Sequence, residues 1–149
     1  MLSDDLKEFI ACLNQHQVRY LVVGGYAVIY HGYNRTTGDL DVWVEPTNAN
    51  YQVFVKAMGA FGLPAEAIPV DKFLNTDSYD VFSFGRPPQA LEILTKVKGL
   101  DFDEAFEGSV LGDFEDYRAR IISLPDLIKA KKAAGRFRDL DDLSKLEGG

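Results

Sequence analysis

One cysteine stands in 149 residues. A lone thiol excludes an internal disulfide framework and any multi-cysteine zinc site. Cys12 falls within a helical apolar pattern and reads as core. Long hydrophobic runs are missing as well. No stretch approaches the roughly eighteen apolar residues of a membrane-spanning helix. The chain opens on Ser3, Asp4 and Asp5, where a secretory signal would carry basic residues. The expectation is a cytoplasmic protein. Positive charge is scarce: 16 Lys and Arg face 23 Asp and Glu, a net charge of −7. Non-specific nucleic-acid binding is mostly phosphate neutralisation by basic side chains, so this balance argues against a general DNA or RNA binder. It leaves room for a compact nucleotide held through metal ions, where carboxylates are required. Histidine is limited to His16 and His31, with no histidine cluster or serine triad around them, and His31 reads as structural. Repeats, low-complexity tracts and long linkers are absent.

What is present describes a globular chain, 46% hydrophobic and 26% charged. Its length suits a single domain over 1–149, with a core at 18–98 and a C-terminal helical segment at 123–147. Leu6, Phe9, Ile10 and Leu13 share one helical face, with Ser3 as N-cap. Tyr20-Leu21-Val22-Val23 is a short apolar strand that runs into Gly24-Gly25. A short helix is expected over 27–31 and a second strand over 40–44. A helix over 48–61 stops at Gly62. Two strands at 79–84 and 90–95 form a hairpin through Gly85-Arg86-Pro87-Pro88. Phe102 to Glu107 suggests a helical turn, and 118–122 a further short strand. Ser123-Leu124-Pro125-Asp126 starts a helix that runs to Ala134 and ends at Gly135. A last helix covers 139–146. The order is that of an α/β core with a helical tail.

The chemistry concentrates in Arg35-Thr36-Thr37-Gly38-Asp39-Leu40-Asp41. In extended chain residues 35, 37, 39 and 41 project to one side, so a guanidinium, a hydroxyl and two carboxylates line one edge. Two carboxylates about 7 Å apart along a strand face repel unless a cation sits between them. Oxygen-rich, sulfur-free donors select a hard ion such as Mg²⁺. A pair of such ions roughly 3.5–4 Å apart activates an attacking oxygen and stabilises a leaving phosphate. Gly24-Gly25, between a strand and a helix, lets backbone N–H groups approach a phosphate at the positive end of the helix dipole. Tyr26, Tyr30 and Tyr33 read as packing residues.

The pattern Val23-Gly24-Gly25, then Asp39-Leu40-Asp41-Val42, resembles the nucleotidyltransferase family that includes the palm of DNA polymerase β. The fuller run Gly-Gly-Tyr-Ala-Val…His-Gly-Tyr-Asn-Arg-Thr-Thr-Gly-Asp-Leu-Asp is similar to its minimal bacterial branch, with abortive-infection-type toxins and relatives of lincosamide-modifying enzymes. The resemblance implies a mixed central sheet flanked by helices. It also implies a third carboxylate on a later strand. Glu92 matches that position, although Asp is common there, and Asp80 is its rival. Tyr26 stands where many members carry serine. The run Lys131…Gly135-Arg136…Asp139 matches the family's C-terminal segment, which implies that Lys131 and Arg136 approach nucleotide phosphates or the metal carboxylates. Periodicity independently sets Lys131 on the apolar stripe of Leu124, Leu127 and Ile128, where its ammonium needs negative charge. Asp39, Asp41 and Glu92 are the expected source.

The resulting expectation is an Mg²⁺-dependent enzyme moving a nucleoside monophosphate from ATP or another NTP to a hydroxyl or phosphate acceptor. Asp39, Asp41 and Glu92 would hold two Mg²⁺ ions. Gly24, Gly25, Arg35, Thr37, Lys131 and Arg136 would hold the nucleotide. The acceptor would be a small molecule or tRNA, and a homodimer or partner protein would complete the pocket. Two alternatives are a nucleotide-binding regulatory module without useful turnover, and a toxin that modifies tRNA ends.

Overall fold

The computed structural model describes residues 3–33, 37–86, 89–114 and 117–148. Helix α1 (Asp4–Gln15) begins where Ser3 Oγ accepts the Leu6 N–H at 3.3 Å. Strand β1 (Tyr20–Val23) follows, buried throughout. Helix α2 (Gly24–Tyr30) starts at the glycine pair itself, three residues before the expected Ala27. Gly24 at φ +68° makes the strand-to-helix turn with no intervening loop. Strand β2 (Leu40–Val44) and helix α3 (Asn48–Phe61) fall where the pattern sets them, and Gly62 stops α3 at φ +110°.

The segment after α3 yields a 3-10 turn (Ala65–Ala67) and helix α4 (Val70–Leu74), which the pattern did not announce. Each follows a proline and is too short to show periodicity. Strands β3 (Val81–Arg86) and β4 (Gln89–Leu94) form the expected hairpin, with β3 shifted two residues along. Tyr79 is retained in the preceding turn, its N–H bonded to Asn75 O at 2.9 Å. Helix α5 (Phe102–Glu107) is capped by Asp101.

Strand β5 (Val110–Phe114) was not expected, and it pairs with β6 (Tyr117–Ile121). Gly112 and Asp113 hide β5 in the sequence. The glycine is there for space, because an added Cβ would overlap the Tyr30 ring. Helix α6 (Leu124–Ala134) starts on Ser123, whose Oγ accepts the Asp126 N–H at 3.3 Å, and ends on Gly135 at φ +66°. Helix α7 (Phe137–Gly148) closes the chain.

The six strands make one mixed sheet in the order β3-β4-β2-β1-β6-β5. The central strands are covered on both faces: Leu40, Val42 and Val44 are fully buried on one, and Trp43 is 2% exposed on the other, against Phe102. Cys12 is buried, as its pattern indicates. His31 ties the end of α2 to the start of α6 through Ile122 O at 2.9 Å. No helix among the described residues is long and apolar enough to cross a membrane.

Ser123 fixes where α6 begins, and therefore where Lys131 sits. Ser123→Ala leaves the Asp126 N–H without its side-chain partner and should cost about 1 kcal/mol. Urea unfolding of the two proteins checks this, with the m-value unchanged.

Candidate active site

Sheet register brings the carboxylates together. Val23 lies opposite Asp41 across the antiparallel β1–β2 pair, and Asp41 lies opposite Glu92 across the parallel β2–β4 pair. Residues in register point to the same face from strands about 4.8 Å apart. Asp41 and Glu92 therefore meet side by side. Burial chiefly, then the charge and hydrogen bond of Glu92 and the charge of Asp39, push the Asp41 carboxyl up to about 7, against a partial offset from Lys131. Asp41 Oδ1 is buried with no hydrogen-bond partner. Gly24 packs on this group so closely that an added Cβ would overlap the carboxylate. Its positive φ gives a second reason for glycine.

Asp39 precedes β2 and turns aside, its Oδ1 accepting from Ala90 N at 3.4 Å. Thr37 donates from Oγ1 to the Asp39 backbone carbonyl at 3.4 Å. These groups and Gly25 border one cavity of about 410 Å³. Asp80 borders it too, but it precedes β3, and Ser83 is the residue opposite Glu92. Glu92 is thus the carboxylate beside Asp41. Arg35 lies outside the described residues.

Lys131 is buried and borders the cavity, but its ammonium does not rest on the predicted acids. It pairs with Asp139 at 3.2 Å and Asp142 at 3.1 Å, both from α7 and both 1% exposed. The expectation that Asp39, Asp41 and Glu92 are its partners is corrected here. Gly135 turns the chain so sharply that the first turns of α7 fold back on α6 and reach the lysine first. Arg136 joins this cluster through Nε to Asp139 Oδ2 at 2.7 Å, and its backbone N–H caps onto the same oxygen at 3.2 Å. Burial opposes the charged form of Asp139. The hydrogen bond from Arg136 and the Lys131 ammonium outweigh it and hold the carboxyl below its ordinary value.

Sequence reasoning missed Asp142, although a signal was present. Asp139, Asp142, Leu143 and Leu146 follow the i, i+3, i+4, i+7 spacing of a buried stripe. Also missed were Lys96, Lys98 and Arg138, which border the cavity.

The donor set is carboxylate oxygen without sulfur, and Asp41 brings an unpartnered buried oxygen, as a hard divalent cation would need. Among the described residues no three donors are arranged to hold a cation as they lie. Asp39 must leave Ala90 N to complete such a set.

This architecture is the nucleotidyltransferase fold, a mixed sheet flanked by helices with a C-terminal helical pair. The chain is similar to a solved lincosamide antibiotic adenylyltransferase, LnuA, in its lincomycin-bound form. The TM-score is 0.57 at 12% identity, over 98% of this chain and 97% of that one. At that identity the likeness establishes the fold alone. No family model matches the chain, and no curated protein does.

The shifted carboxyl has a stability consequence in metal-free buffer. Asp41 titrates at about 7 when folded, against an ordinary value of 3.8. Between those values the folded chain holds a proton that the unfolded chain has released, so stability falls as pH rises through the window. Asp41→Asn should flatten that slope and be the more stable protein at pH 8, by up to a few kcal/mol. Urea midpoints from pH 4 to 8 in EDTA measure it.

Proposed function

We propose that the chain is an Mg²⁺-dependent nucleotidyltransferase that moves a nucleoside monophosphate from an NTP to an acceptor. The observation that carries this reading is the Asp41–Glu92 pair, held in register beside a glycine turn with no room for a side chain. Two acids crowded side by side in a half-buried cleft repel each other, and a bound cation would relieve that repulsion. Asp39, Asp41 and Glu92 would hold two ions, which when bound supply positive charge at the transferring phosphate and the attacking oxygen.

The chain's own residues supply the rest. Backbone N–H groups at Gly24 and Gly25 receive phosphate oxygens at the start of α2. Thr37 flanks the same edge, Arg35 is a further contact implied by the family resemblance, and Lys131 and Arg136 add positive field from the α6–α7 side. In the transfer an acceptor oxygen bonds to the α-phosphorus as the bond to pyrophosphate breaks. The acceptor's proton passes to Glu92. The likeness to an adenylyltransferase supports the reaction class but not the choice of acceptor.

A second reading, a nucleotide-binding module without turnover, draws on the α7 acids: Asp139 and Asp142 already neutralise the lysine expected to serve the triphosphate. Single-turnover transfer of radiolabelled NTP onto small molecules and tRNA separates the two readings. Product formation supports transfer, and binding without product supports the module.

Asp39→Asn combined with Asp41→Asn should abolish Mg²⁺-dependent binding of a non-hydrolysable NTP in calorimetry while the chain stays folded. Unchanged affinity would sink the site. Glu92→Gln should lower turnover by roughly 10²-fold or more, with a much smaller change in NTP affinity.

A further inference from the structure

The cavity has a second charged end. Lys96 and Lys98 follow β4, in the loop to α5, and Arg138 lies in the first turn of α7; all three border the cavity and are exposed. Acids outnumber bases in this chain, and its surface cations readily find them: Lys132 pairs with Glu147, Lys145 with Asp141, and Arg118 with Asp113. Lys98 and Arg138 make no ion pair among the described residues. Lys96 has only Asp77, at 3.7 Å and 93% exposed. Arg138 gains nothing from its own helix, since a cation in a first turn opposes the macrodipole.

The two segments are brought together by packing. Gly99 has φ +88°, and a Cβ added there would stand 2.9 Å from Ala133 Cβ. The loop after β4 therefore lies directly on the last turn of α6. That contact sets Lys98 beside the α6–α7 turn, from which Arg138 projects. Lysine at 131 and arginine at 136 are already balanced by Asp139 and Asp142. The uncommitted positive charge of the cleft is at the Lys96, Lys98 and Arg138 end.

That end is not the glycine end. Gly24 follows Val23, which lies level with Asp41 and hence with Glu92. Lys96 comes four residues after Glu92 along the same chain, up to about 13 Å away. A triphosphate seated on Gly24 and Gly25 leaves these cations facing whatever occupies the other half of the cleft.

We propose that Lys96, Lys98 and Arg138 bind a phosphate of the acceptor, which is a molecule carrying both a phosphate and a reacting hydroxyl. The proposal rests on the nucleotidyltransferase reading and names its second substrate class. A nucleotide unit carries both groups, whether free or at the end of an RNA. Charge-assisted contacts to phosphate are strong enough to select such an acceptor in a chain whose net charge repels anions elsewhere.

The test uses calorimetry on the full chain with Mg²⁺. A non-hydrolysable NTP is titrated first, and failure to bind it would overturn the parent reading and this one with it. With that analogue bound, three probes follow: a 5′-phosphorylated ribodinucleotide, the same dinucleotide without its 5′-phosphate, and a nucleoside 5′-monophosphate. Binding that falls at least tenfold on removing the 5′-phosphate is expected. The same loss is expected in Lys98→Gln with Arg138→Gln, two exposed changes. Tighter binding of the dinucleotide points to an RNA end as the source, and tighter binding of the monophosphate to a free nucleotide; both support the proposal. Intact NTP binding with no phosphate-dependent second ligand would overturn this proposal alone. So would a double variant that weakens the NTP analogue instead, since the rim would then belong to the triphosphate.

Discussion

Hydrogen bonds between two parallel strands hold a pair of acidic groups closer than those groups would choose. Asp41 and Glu92 are opposite each other because β2 and β4 are in register over four residues. Burial first, and then the neighbouring acid that the backbone holds there, push the Asp41 carboxyl up to about 7. The surrounding construction answers to this pair. Gly24 gives up its side chain to let Asp41 sit where it does, and Asp39 waits on Ala90 N at the rim. The fold has already forced two acids together, and Asp39 would have to turn from Ala90 N to join them.

A second charged assembly sits over the first. Two cations, Lys131 and Arg136, meet two carboxylates, Asp139 and Asp142, across the turn between α6 and α7. Buried ion pairs add little net stability, since desolvation offsets attraction. Their effect is geometric. An ammonium held by two carboxylates fixes how α7 folds back on α6, and so fixes the wall of the cleft facing the acids. The field of Lys131 still reaches Asp41. The cluster thus sets both the shape and the potential of the opening.

Much of this was legible from sequence, for identifiable reasons. Strand β1 ending in Gly24-Gly25 and the caps at Ser3 and Ser123 are local patterns, and they survive into the fold, whereas Asp39, just before β2, leaves the alternation with Asp41 and turns to Ala90 N. Glu92 depended on family resemblance, because strand spacing cannot say which strand will lie beside β2. The partners of Lys131 were misjudged because a lysine on a buried stripe announces that it needs an acid without naming one. Here the nearest acids in space were also near in sequence, one turn beyond Gly135. Strand β5 was invisible because its Gly112 answers to Tyr30 on α2, a contact that only the assembled sheet creates.

The contact between Gly24 and Asp41 ties the two positions into a single unit of inheritance. A larger residue at 24 meets the Asp41 carboxylate, so Asp41 holds its place only while 24 is glycine. Neither position can drift by single steps while the site is kept. Descendants that keep Asp41 should therefore keep Gly24, whereas loss of Asp41 would still leave position 24 held to glycine by its φ of +68°.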